Sequence, residues 1–230
     1  MSKKKIITLA LVAIIAVTAI ASASIAYFTD TKTANNVFTL GNVMIKLDEA
    51  KVKAEDDKWT IETDDNGEEI RVKSNDYGAA YPGAVLPKDP TVHNVGTNPA
   101  YIRAKVTVSE GMNLLAVLFP DIQAGDFTKY PDAFKAFINN SLGEDWTVED
   151  FEWGEAGWPD LMFILKYDGK LAAGESTTPM FTEITIPADY DARNGHAYYA
   201  EMTIKVDVVA EAIQTNGFDS WEAAFAAFDA

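Results

Sequence analysis

The sequence predicts a mainly β protein: a jelly-roll-like antiparallel β-sandwich with a helical insert and a short C-terminal helix. Three observations carry that expectation. Apolar and polar residues alternate with a period of two in several separate segments, as half-buried strands require. Glycine, asparagine and aspartate gather between those segments, where turns need positive φ or side-chain-to-backbone hydrogen bonds. Helical spacing of aromatic residues is confined to short stretches around 133–139 and 220–228.

The chain opens as an export signal. Lys3, Lys4 and Lys5 form a basic start, and Ile6 to Ile20 is apolar apart from Thr8 and Thr18. Ser22, Ala23, Ser24 and Ala26 supply small side chains, and Ser24 and Ala26 make a small-x-small site for a cut before Tyr27. The apolar run falls short of the ~20 residues that cross a bilayer comfortably. Cleavage is therefore the expectation, and a retained membrane anchor the alternative. The chain then divides into a signal at 1–26, an N-terminal arm at 27–41 and a β domain at 42–230 with a helical insert at about 110–160.

Residues 27–36, YFTDTKTANN, are polar and short in side chain behind Tyr27 and Phe28, so they read as an extended arm. In 37–49, Val43, Ile45 and Leu47 alternate with Asn42, Met44 and Lys46, and Gly41 interrupts the pattern as a bulge would. Residues 50–57 are a charged connection. Lys58–Thr63 and Glu68–Lys73 read as a hairpin around Asn66-Gly67, residues that tolerate positive φ. After the loop at 74–83, Val92 begins a strand, Asn94-Val95-Gly96 turns it, and Ile102, Ala104, Val106 and Val108 alternate with Tyr101, Arg103, Lys105 and Thr107.

The insert is the least β-like region. Leu114 to Phe119 is an apolar cluster ended by Pro120. Pro131 suits the first turn of a helix carrying Phe134, Phe137 and Ile138. Thr147-x-x-Asp150 resembles a cap, and Trp146, Phe151, Trp153 and Trp158 read as core aromatics rather than a carbohydrate platform. Strands then resume. Leu161–Tyr167 is central, with Asp168-Gly169 turning it into Lys170–Ala172; Met180–Pro187 alternates; Ala197–Ala212 is the longest. Asp219 caps a final helix, Ser220–Phe228, with Glu222 closing a capping box.

Composition narrows the function classes. Removing 1–26 takes away three lysines and no acid, which moves the formal charge from −16 to −19. Nucleic acid and anionic membranes repel such a chain, so neither is an expected partner beyond the precursor's own signal. The chain has no cysteine, so stability comes from a packed core or assembly, and neither a thiolate metal site nor a cysteine nucleophile is available.

The segment IAYFTDTKTANNVFTLGNVMIKL resembles the N-terminus of the TasA/camelysin family of exported bacterial proteins. The positions that carry the likeness are Ala26, Phe28–Asp30, Phe38–Gly41 and Val43–Leu47. Further likeness lies in Pro82-Gly83, Asn94–Thr97, Ala100–Arg103, Leu171 with Gly174-Glu175, Ile186-Pro187 and Ala212–Gln214. The resemblance implies processing by a dedicated signal peptidase, secretion to the extracellular matrix or cell surface, and biofilm-matrix fibres built by donor strands.

Physics supports the same expectation. A sandwich leaves strand edges that template another strand, and a ten-residue arm extended at ~3.3 Å per residue spans about 33 Å. Tyr27 and Phe28, continued by Val37, Phe38 and Leu40, are the expected donor residues. The expected partner is another copy of the chain, head to tail, with a minor assembly protein as a further candidate. No catalytic residue and no cofactor is expected.

Two other classes stay in view. The camelysin branch implies a surface metalloendopeptidase, for which His93 and His196, with carboxylates such as Asp89 or Asp191, are weak metal candidates. There is no His-Glu-x-x-His helix and no Gly-x-Ser-x-Gly. A cell-wall-associated adhesin is the third class.

Overall fold

The computed structural model describes residues 29–32, 43–56, 58–78, 80–81, 83–119, 129–139, 141–153, 160–186 and 204–230. The protein is mainly β and its sheets are antiparallel. The largest has five strands: β1 (Thr29–Lys32), β12 (Val206–Gln214), β8 (Ala100–Val108), β10 (Leu161–Tyr167) and β9 (Trp146–Trp153), in that spatial order. A three-stranded sheet runs β5 (Arg71–Val72), β2 (Ile45–Ala50), β7 (Thr91–Asn94). Two ribbons complete the set: β3 (Val52–Glu55) with β4 (Lys58–Ile61), and β6 (Val85–Pro87) with β11 (Glu183–Thr185).

The β6–β11 ribbon continues into β7. Lys88 N–H reaches Thr182 O, Met180 N–H reaches Pro90 O, and Thr177 N–H reaches Val92 O, so residues 174–186 run antiparallel along 84–94. Gly174 and Glu175 then close the end on Asn94 through backbone hydrogen bonds of 2.8 and 2.9 Å.

Alternation decides where the core sits. Ile102, Ala104 and Val106 of β8, Phe163 and Leu165 of β10, and Ala210 and Ala212 of β12 are buried against Ile45 of β2 and Val92 of β7 in one hydrophobic cluster. The odd-numbered face of β8 meets a second cluster. There Tyr101 and Ile213 pack under Trp221, Ala224 and Phe225 of the C-terminal helix. Both faces of β8 are therefore buried, which explains its nearly continuous burial.

Three helices are seen among the described residues: α1 (Gly111–Leu118), α2 (Tyr130–Asn139) and α3 (Trp221–Phe228). Gly111 starts α1 hard against β10, where a Cβ would stand 2.2 Å from Leu161 Cβ. Phe134 of α2 is sandwiched between Phe151 and Phe163, with ring centroids 5.4 and 5.3 Å away. Trp146 is buried, meets the Tyr167 ring in a tilted arrangement at 5.2 Å and donates to Thr178 O at 2.9 Å. Both Trp146 and Phe151 are packing residues; Trp158 lies outside the described residues.

Helix α3 is fixed by charge as well as by packing. Arg103, 4% exposed, donates from Nε to Glu211 at 2.6 Å and from both terminal nitrogens to Asp229 at 2.7 Å. Its guanidinium lies 4.4 Å from the Phe225 ring centroid and 5.4 Å from that of Phe228. Trp221 Nε1 donates to Ile102 O, and Lys166 pairs with Glu222 at 2.6 Å.

Several local expectations are corrected. The charged stretch 50–57 holds strand β3, and Lys58–Ile61 pairs back onto it rather than forward onto 68–73. Both faces of this ribbon are largely solvated, so no burial pattern marks it as a strand. The turn itself survives: Thr63 bridges Glu69, and Gly67 takes φ +82°. Thr147-x-x-Asp150 caps no helix, because 146–153 pairs with β10 and buries Trp146 and Val148. The helical part of the insert thus ends before β9. Leu171 bridges Ala100 instead of folding back on β10, and is 2% exposed there.

The cap of α3 is Ser220, whose side chain accepts from Ala223 N–H, one residue later than Asp219. That shift moves Glu222 out of a capping box and leaves it to Lys166. The last long strand begins at Val206 and extends to Gln214, past Ala212, while 187–203 lies outside the described residues.

Removing Arg103 would leave the buried Glu211 carboxylate with Lys105, at 3.1 Å, as its remaining cation. Arg103→Ala is expected to lower unfolding free energy by about 3 kcal/mol, less than for a carboxylate left with no partner. Asp229→Ala takes two charge-assisted hydrogen bonds from the buried guanidinium but leaves it Glu211, and should cost about 1.5–3 kcal/mol. Urea titration at neutral pH checks both.

Candidate functional site: a sheet edge completed by the N-terminal strand

The five-stranded sheet has two edges, and they differ. At one, β1 lies antiparallel on β12 with Thr29 opposite Ile213, Asp30 opposite Ala212, Thr31 opposite Glu211 and Lys32 opposite Ala210. On its other side β12 is paired along its full length with β8, from Val206 opposite Val108 to Gln214 opposite Ala100. Among the described residues, the outer backbone of β12 is therefore covered at 210–213 and uncovered at 206–209.

The opposite edge is β9, and it is guarded. Lys135 of α2 donates from Nζ to Glu149 O at 3.0 Å, and Asp150 Oδ1 accepts from Phe151 N–H at 2.7 Å. The pairing with β10 shifts register between Ile164 and Leu165. Occupied backbone groups, acidic side chains and a register break are the devices that stop an edge from recruiting another strand.

The arm expected at 27–41 is described only at 29–32. Tyr27, Phe28, Val37, Phe38 and Leu40, the expected donor residues, lie outside the described residues, as do Ser24 and Ala26 of the cleavage site. His196 and Asp191 also lie outside them.

His93 stands on the solvent face of the three-stranded sheet and its neighbouring segment. Strand pairing places it opposite Lys46 on one side and Ser176 on the other. Its Nδ1 is 2.6 Å from Ser176 Oγ and its Nε2 is 3.0 Å from Asp48 Oδ1. Asp48 is 3% exposed, accepts from Arg71 Nε at 2.9 Å and pairs with Lys46 Nζ at 2.7 Å. Arg71 also bonds Asp89, so Asp89 is engaged by a cation and not by His93. Burial pushes the Asp48 carboxyl up, but hydrogen bonds from Lys46, His93 and Arg71 outweigh it and hold it down at about 2.

These residues line an open depression of about 750 Å³ together with Glu69, Thr91, Asn94, Val95, Gly174 and Pro179. Among the described residues, no group of three His, Cys, Asp or Glu side chains is placed to hold a metal ion. Sequence reasoning found His93 but neither Asp48 nor Ser176 as its neighbours. The one signal for Asp48 was its place two residues after Lys46 on the polar face of β2.

No helix among the described residues is long and apolar enough to cross a membrane. Compared with family models, curated proteins and solved structures, the chain gives no match. The likeness to TasA/camelysin proteins thus rests on the motif residues alone.

Because the folded-state value of Asp48 lies below its ordinary 3.8, the cluster stabilises the fold above about pH 4 and loses that contribution as pH falls toward 2. Asp48→Asn should be less stable at neutral pH and show a shallower loss of stability between pH 4 and 2. Urea midpoints measured at pH 5, 4, 3 and 2 check this.

Proposed function

We propose that the protein is a secreted structural subunit of extracellular, biofilm-type fibres that assemble by donor-strand complementation. On this reading the two sheets form a jelly-roll-like sandwich, the signal is removed before Tyr27, and the freed arm serves another copy of the chain. The observation that carries it is strand β1 of the N-terminal arm, which lies antiparallel on the outer edge of β12 at 210–213.

The register suggests what exchange would gain. Continuing the pairing past Lys32 would set Thr33, Ala34, Asn35 and Asn36 opposite Val209, Val208, Asp207 and Val206. In an exchanged arrangement, arm residues paired along that edge would add backbone hydrogen bonds, each worth about 1 kcal/mol net.

Contacts at 29–32 are the same in either arrangement, so they favour neither. The intramolecular arrangement competes through an effective concentration in the millimolar range for a short linker. The added pairing is what would tip the balance toward assembly. Head-to-tail strand addition of this kind does not close on itself, which makes a filament. The guarded β9 edge leaves β12 as the acceptor.

A cysteine pair tests the idea, since the chain has no cysteine of its own. Asp30 and Ala212 face each other across the ladder, and directly opposed antiparallel residues stand about 4.5–5.5 Å apart at Cα, within disulfide range. In the chain starting at Tyr27, the oxidised double variant Asp30→Cys, Ala212→Cys should stay monomeric and the reduced form should make fibres by electron microscopy. Deletion of 27–36 should abolish fibres under both conditions. Fibres from the locked monomer, or from the deletion, would overturn the proposal.

A further inference from the structure

Asp48, His93 and Ser176 come from three neighbouring segments and form a continuous hydrogen-bonded series. Ser176 Oγ is 2.6 Å from one imidazole nitrogen, and the buried Asp48 carboxylate is 3.0 Å from the other. A neutral imidazole has one acceptor nitrogen and one N–H donor. With a carboxylate on Nε2, the proton belongs there, and Nδ1 is left to accept the serine hydroxyl proton. The carboxylate is itself held by Arg71 and Lys46, so the imidazole is oriented by a fixed partner. The fibre reading uses none of these groups, which sit on a different sheet from the β12 edge.

We propose that Ser176, His93 and Asp48 form an acyl-transfer site that hydrolyses small esters, with Ser176 as nucleophile and His93 as general base. Attack forms a bond between Ser176 Oγ and the ester carbonyl carbon while the hydroxyl proton passes to His93 Nδ1. Collapse breaks the bond to the leaving alcohol, which takes that proton from His93. Water, deprotonated by the same nitrogen, then attacks the acyl-serine, and the products are a carboxylic acid and free serine. No other reactant is needed. Asp48 stabilises the imidazolium formed in each half of the cycle, the role of the carboxylate in serine-nucleophile triads on unrelated folds.

The shape of the depression defines the substrate class. Lys46 lies across the ladder from His93, on the side away from Ser176, and its ammonium pairs with Asp48 at 2.7 Å, so it helps to hold the carboxylate. Arg71 is already engaged by Asp48, Glu69 and Asp89 and serves to hold Asp48. The depression is open and flanked by Gly174 and Pro179, so it offers no deep acyl tunnel and suits acetyl-sized groups.

The test uses the processed chain with p-nitrophenyl acetate and a fluorophosphonate probe, followed by peptide mapping. Expected are turnover above that of heat-unfolded protein and labelling at Ser176. Ser176→Ala should abolish both. His93→Gln, at a partly exposed position, should lower the rate by about 10²–10⁴-fold while leaving the thermal midpoint within a few degrees. No labelling of the wild-type protein, labelling at another serine, or an unchanged rate in Ser176→Ala would overturn the assignment. Each outcome is independent of whether the chain makes fibres.

Discussion

The nine-residue ladder between β8 and β12 is the constraint on which the rest of the structure depends. One face of the ladder gives the main core Ala104, Ala210 and Ala212 beside the larger Ile102 and Val106. The other face carries Arg103 and Glu211, an ion pair that would be costly to bury alone. Asp229 and the rings of Phe225 and Phe228 complete its shell, so docking of α3 and satisfaction of the ion pair are one event. The remaining property of the ladder is its outer edge, where β1 lies. Core, helix lock and candidate assembly site all share a single strand.

The three-stranded sheet is organised by a different balance. Its inner face is apolar through Ile45 and Val92, while its outer face concentrates charge around Asp48. Consecutive acidic residues on β2 point opposite ways: Asp48 goes to Arg71, Lys46 and His93, and Glu49 goes to Lys88 at 2.5 Å and Asn75 at 3.1 Å. Each buried carboxylate therefore ties β2 to segments distant in the chain. A protein without disulfides can use such ties to hold its loops in place.

Much of the architecture was legible because burial on one side of a strand writes itself as alternation. The even-numbered apolar residues of 102–108 and the apolar run of 161–165 are cases in which local pattern and final packing agree. Alternation fails as a signal where neither face is buried, as in Val52–Glu55, and aromatic content misleads where a strand borders helices, as in Trp146–Trp153. At α3, two capping residues in sequence, Asp219 and Ser220, leave the boundary open by one, and packing of Trp221 settles it. The polar cluster was opaque for another reason. His93 meets partners 45 and 83 positions away, and only strand register between distant segments brings them together.

The Lys135 ammonium resting on the Glu149 carbonyl has a consequence for the shape of anything this chain builds. On the proposed reading, a subunit with one tail to give and one receptive margin, its far margin stoppered, would add to a growing polymer in a single orientation. Such a polymer would be polar along its axis and unbranched, and its sheets would not broaden sideways as those of an amyloid ribbon do.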